Sequence, residues 1–76
     1  MTKEIKKEDI VGILGQNMRN LRTKENITQE ELSFRSGLHR NYISDTERGT
    51  RNISLKAVEK IAKGLNVELA ELFKKG

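Results

Sequence analysis

The stretch ITQEELSFRSGLHRNYISDTERG, residues 27–49, constrains the fold more than any other part of the chain. Thr28 stands three residues before Glu31, the spacing of a capping box, and Ile27 and Leu32 flank the cap as a hydrophobic staple. A helix therefore starts at Thr28. It is short: Gly37 tolerates the positive φ that turns a chain out of a helix, so the helix ends near Ser36. Another helix restarts at once over about residues 39–47, with Ile43 as its one strong apolar anchor and Gly49 as its stop. Two short helices joined this tightly must pack across the turn, and the small Ser33 and Ser36 suit a close approach.

The flanking segments are also helical. Ile10, Ile13, Leu14, Met18 and Leu21 fall on one face of a first helix over residues 8–25, and Asn26 suits the left-handed position that ends it. Residues 49–53 form a polar loop. Ser54 caps the next helix, stapled by Ile53 and Val58, with Leu55, Val58, Ile61, Ala62 and Leu65 as its buried stripe and Asn66 as its end. A last short helix is expected over about 68–74, carrying Leu69, Leu72 and Phe73. No segment alternates as a strand does. The expectation is an all-α, compact five-helix fold, one domain over residues 1–76.

Composition narrows the classes. No cysteine is present, so neither a disulfide framework nor a zinc finger is available. No apolar run approaches the roughly 20 residues of a membrane span, and MTKEIKKEDIVG lacks the apolar core of a signal peptide. A soluble cytoplasmic protein, off the membrane, is expected. His39 has no cysteine partners for a metal site. Ser36, His39 and Asp45 straddle a surface turn rather than a water-excluding pocket, so no triad is expected. Neither catalysis nor a cofactor is anticipated.

The net charge of +4 is mild, but its placement is informative. Arg35, Arg40, Arg48, Arg51, Lys56 and Lys60 outnumber Asp45, Glu47 and Glu59 from residue 35 to 60. Two short helices around a glycine turn form a helix-turn-helix unit, whose second helix enters the major groove of DNA with its N-terminal residues toward the bases. That helix begins here with His39, Arg40, Asn41 and Tyr42. Arginine can fork onto guanine and asparagine onto adenine, so Arg40 and Asn41 are candidate base readers. Thr28 and Gln29 at the start of the preceding helix, with Arg35, Tyr42, Ser44, Arg51 and Asn52, are candidate backbone contacts. The competing reading is a helical hairpin whose charged face binds an acidic protein.

TQEELSFRSGLHRNYISDTERG resembles the helix-turn-helix of phage-repressor and Cro-type regulators, a lambda-repressor-like DNA-binding domain, through Thr28, Gln29, Leu32, Gly37, Ile43, Glu47 and Gly49. RNYISDTERGTRNIS is further similar to a pattern of restriction-modification controller proteins. That resemblance implies a dimer, or two dimers, on a duplex operator, regulating its own gene and the endonuclease gene, with RNA polymerase as a further partner. It implies activation at low dose and repression at high dose. A phage repressor or the antitoxin of a toxin pair is the alternative within the class. The resemblance also implies an ion pair between Arg22 and Glu47.

Several residues depart from the family pattern. Ser33 replaces the usual alanine, and His39 the usual Ser, Thr or Asp cap. Thr46 stands where Leu or Ile packs. Asp45 occupies a position that often reads a base, where a carboxylate can accept from cytosine N4; with His39 it completes the base-reading set. Val67, Leu69, Leu72 and Phe73 are too many apolar side chains for one short terminal helix to bury, and a shared dimer interface is favoured over a tail closing the monomer core. Phe34 falls off the buried stripe and is left between covering the edge of the first helix and lying exposed.

Overall fold

The computed structural model describes residues 9–75. Four α-helices follow one another: α1 (Ile10–Lys24), α2 (Gln29–Ser36), α3 (Arg40–Glu47) and α4 (Leu55–Leu65). A 3-10 turn, Leu69–Phe73, closes the chain. There is no strand among the described residues. Glu8, expected inside the first helix, lies outside the described residues; Asp9 caps α1 by accepting from the Val11 amide at 2.9 Å.

The local signals act at atomic level. Thr28 Oγ1 accepts from the Glu31 amide at 3.0 Å, and Ser54 Oγ from the Ala57 amide at 3.1 Å. The reciprocal arm of the Thr28 box is replaced, since Glu31 turns to Arg35 Nε at 3.0 Å. Asn26 and Asn66 both adopt φ 59°, and Gly37 φ 77°, so each stops its helix in the left-handed region. The turn after α2 is tied by the two serines: Ser33 Oγ donates to the Leu38 carbonyl, and Ser36 Oγ accepts from the Leu38 amide at 3.2 Å. Ser33 is therefore more than a small substitute for alanine; its hydroxyl holds the connection on which α3 depends.

Leu14, Met18, Ile27, Leu32, Ile43, Val58, Ile61, Ala62, Leu65 and Leu72 form one core. Each large aliphatic side chain buried there contributes about 1.5–3 kcal/mol. Helix α1 packs on α3 and on the 3-10 turn, while α2 packs on α4 and α3. Thr46, in place of a larger aliphatic, is wholly buried and donates its hydroxyl to the Tyr42 carbonyl at 2.7 Å, so the polar atom in the core is satisfied.

Three expectations are corrected. The fifth helix is a 3-10 helix, Leu69–Phe73, opened by the Glu71 amide donating three residues back to the Glu68 carbonyl at 2.9 Å. Its free end is satisfied by Asn17 Nδ2, which donates to the Leu72 and Lys74 carbonyls at 2.9 and 2.8 Å. Leu72 belongs to the monomer's own core at 0 % exposure, which removes it from any surface offered to a partner. Leu55, assigned to the buried stripe of α4, is 85 % exposed, and Ile10 in α1 is 58 % exposed. Both occupy the first turn of their helices, which projects past the core. Phe34 is also exposed, on the outer face of α2.

Candidate nucleic-acid interface

Helix α3 is held from three sides. Arg22 in α1 makes a two-pronged pair with Glu47 at the end of α3, Nε to Oε2 at 2.7 Å and Nη2 to Oε1 at 2.9 Å. Its third nitrogen, Nη1, donates to the Ile27 carbonyl at 2.9 Å, and Gln29 Nε2 donates to Glu47 Oε1 at 3.1 Å. One guanidinium thus joins α1, the α1–α2 connection and the end of α3, and Gln29 adds the start of α2. The pair is nearly dry, and its hydrogen bonds raise the Arg22 guanidinium above its usual value; burial opposes the rise and the Glu47 charge adds to it. From below, Gly15 lets α1 approach the α3 backbone: a Cβ there would stand 2.5 Å from the Thr46 carbonyl oxygen and 2.8 Å from that of Glu47. Gly49, at φ 74°, turns the chain away beside Gly12.

The N-terminal end of α3 points outward. His39 is its cap, Nδ1 accepting from the Asn41 amide at 3.0 Å, so imidazole fills the role usually given to a hydroxyl or carboxylate. That bond commits Nδ1 and leaves the ring's other nitrogen for any base contact. The side chains of Arg40 and Asn41 are exposed and make no hydrogen bond or ion pair among the described residues. They are forked donors held on a fixed stem, uncommitted among the described residues.

The C-terminal part of α3 carries a different arrangement. Asp45 Oδ1 meets Arg48 Nη2 at 2.6 Å, and Oδ2 meets Arg51 Nη2 at 3.2 Å. The Arg51 guanidinium lies 4.6 Å over the Tyr42 ring, within cation–π range. Arg48 Nη1 donates to Ser44 Oγ at 2.9 Å. The Thr50 amide and hydroxyl both donate to the Asp45 carbonyl, each at 3.1 Å, folding the loop onto the helix. Asp45, a candidate acceptor for cytosine N4, has both oxygens engaged.

The structure therefore gathers Arg40, Asn41, Tyr42, Ser44, Asp45 and Arg51 on α3 and its following loop, with exposed Asn52 in that loop. Thr28 and Gln29 lie at the adjoining start of α2, where Thr28 caps and Gln29 braces Glu47. Arg35 is not in the group. It pairs with Glu31 and reaches toward the Gly64 carbonyl at 3.5 Å, on the flank of α2 that faces α4. Arg48, absent from the expected set, is present; its signal was the three-residue spacing from Asp45. Gly15 and Asn17 were also missed, because nothing in a single helix's periodicity marks what another element presses against it.

A second surface lies on the opposite composition. Ile10, Val11, Leu14, Ile53, Leu55, Val58 and Phe73 line an open, mainly apolar groove where the starts of α1 and α4 meet the end of the 3-10 turn, with Arg51 and Asn52 of the α3–α4 loop along its edge. Phe73 is half-buried and Leu69 is 48 % exposed. Val67 is half-buried and packs against the core.

Residues 18–72 match the family described as Helix-turn-helix. The chain is 52 % identical over 61 residues to the control protein C.BamHI of Bacillus amyloliquefaciens, covering 79 % of this chain and 75 % of that one. Its structure is similar to the crystal structure of the restriction-modification controller protein C.AhdI from Aeromonas hydrophila, with a TM-score of 0.80 at 46 % identity over 83 % of this chain and 96 % of that one. It is also similar to the controller protein C.Esp1396I, crystallised as a tetramer with its natural 35 base-pair operator, with a TM-score of 0.76 at 32 % identity over 87 % and 97 % of the respective chains.

Proposed function

Because the chain belongs to the helix-turn-helix family and is a DNA-binding transcription regulator, we propose that it is the controller protein of a restriction-modification system, acting as a dimer on duplex operators in the cytoplasm, without catalysis. The observation that carries the mechanism is the pairing of free donors with a fixed stem. Arg40 and Asn41 have no partner among the described residues, while the helix that bears them is fastened by Arg22, Glu47 and Gln29. Preordered forks lose little freedom on meeting a base edge.

In this mechanism α3 enters the major groove. Arg40 and Asn41 read base edges, and His39 adds its outward ring nitrogen. Tyr42, Ser44, Arg51 and Asn52 meet the sugar-phosphate backbone on one side, and Thr28 and Gln29 bring the start of α2 to it on the other. A second copy covers the apolar groove. Ile10, Leu55 and Phe73 line it, so this interface runs through the helix starts rather than through the terminal segment alone. Among the described residues no helix is long and apolar enough to cross a membrane.

The test is equilibrium binding to duplex DNA from upstream of the gene across a salt series. Each neutralised phosphate contributes about −0.9 to the log–log slope, so a dimer making four or more such contacts should show a slope of about −3.6 or steeper. A flat slope removes the duplex mechanism and favours a module that binds an acidic protein. A nuclease or methyltransferase gene alongside separates the controller reading from that of a phage repressor or antitoxin.

A further inference from the structure

The cations of the α3 face fall into two classes. Arg40 has no partner among the described residues, whereas Arg48 and Arg51 share one carboxylate, Asp45, at 2.6 and 3.2 Å. Two guanidinium groups converging on one anionic oxygen pair resemble the seat of a phosphate group. Arg51 is further fixed by stacking 4.6 Å over Tyr42. The loop bearing both arginines is tied back to the Asp45 carbonyl through Thr50.

We propose that Asp45 is a specificity-determining residue that acts as an internal counterion, withholding Arg48 and Arg51 from indiscriminate phosphate attraction while positioning Arg51 over Tyr42 for the operator. This rests on the duplex-binding reading above. In loose, sequence-independent complexes, affinity comes from cations that displace condensed counterions. A guanidinium already paired with a carboxylate adds little to that term, and the carboxylate itself repels nearby phosphates. In the operator complex, Arg40 and Asn41 fix the register of α3. Arg51 then meets its phosphate from a preset position through the N–H groups that Asp45 leaves unused. The carboxylate thus weakens the wrong complex more than the right one.

The experiment first selects an operator from a randomised duplex pool with the wild-type protein. It then measures wild type, Asp45→Asn, Asp45→Glu and Arg48→Gln on that operator and on a scrambled duplex of equal length, across salt. Asp45→Asn should bind the scrambled duplex at least threefold more tightly. Its slope there should steepen by up to about 0.9 for each arginine released. The ratio of operator to scrambled affinity should fall at least fivefold. Asp45→Glu, which keeps the charge, should recover most of that ratio. Arg48→Gln leaves the single Asp45 charge wholly to Arg51, so binding to the scrambled duplex should weaken and its slope flatten, by no more than about 0.9. A scrambled-duplex slope that steepens instead overturns the proposal, and this arm stands even where Asp45→Asn folds poorly.

An Asp45→Asn protein with unchanged slope and ratio overturns the proposal. A change confined to preference at one base pair also overturns it and makes Asp45 a base reader. Failure of the wild type to retain any duplex is a separate result, which sinks the duplex-binding reading and this inference with it.

Discussion

The backbone at the end of α3 rests directly on Gly15 of α1: a Cβ added at Gly15 would lie 2.5 Å from the carbonyl oxygen of Thr46. Neither backbone can yield without moving a whole helix. Gly15→Ala should destabilise the protein by about 1–3 kcal/mol, as overpacking does. It should also lower operator affinity further, by tilting α3. Gly12→Ala is the matched control, since its Cβ meets nothing within 4 Å and a helical glycine-to-alanine change gains about 0.5–1 kcal/mol. Chemical denaturation of the two variants should therefore shift in opposite directions; a shift in the same direction refutes the close-approach account.

Arg22→Ala should cost about 3–5 kcal/mol, because it strands the buried Glu47 carboxylate. Arg22→Lys should recover only part of that, having no planar fork to meet both oxygens. A folded-state value raised above the unfolded one places the Arg22 contribution fully below the unfolded guanidinium range, to be lost only as pH climbs through the folded value. The stability gap between wild type and Arg22→Ala should thus stay level from about pH 7 to about 9. Urea titrations over that interval check it, and a gap that closes within it contradicts the assignment.

Leu55→Glu and Leu72→Glu should part company. Leu55 is 85 % exposed, so the charged variant should fold, with monomer stability within about 0.5 kcal/mol of wild type, and sediment as a monomer. Leu72 is at 0 % exposure, and a buried unpaired carboxylate there should unfold the chain. The wild-type thermal midpoint should rise with protein concentration. A Leu55→Glu protein that stays dimeric places the interface elsewhere.

Arg40→Ala should cost about 1–3 kcal/mol per half-site and relax preference at a single base pair. Selection on randomised duplexes reads this directly. Retained preference with merely weaker binding would make Arg40 a phosphate contact, leaving the reading to Asn41 or to DNA shape.

Local chemistry made most of the fold legible. Thr28, Ser54, Asn26, Asn66 and Gly37 act within a few residues of themselves, so their effect can be worked out from neighbours alone. Apolar periodicity was less informative at its ends. It marks Leu55 and Ile10 as residues that avoid water, but not whether the same chain or a second one covers them. In the candidate site, the exposure of Arg40 and Asn41 follows from their place at a helix start. The engagement of Asp45 with Arg51 and of Gln29 with Glu47 depends on where a loop and a distant helix come to rest. No spacing rule within one element contains that information.

Asn17 reaches carbonyls 55 and 57 positions further along the chain, and beside that bond Leu72 enters the centre of the core. A growing chain therefore has α1 in hand long before its partner exists. Helices relax in about a microsecond, whereas synthesis adds roughly 5–20 residues per second, so α1 must wait some seconds, on the order of 3–11, for the segment that seals it. During that interval α3 can already cover part of the apolar face of α1, but the part that the 3-10 helix seals stays open, and the nascent chain depends there on whatever shields it.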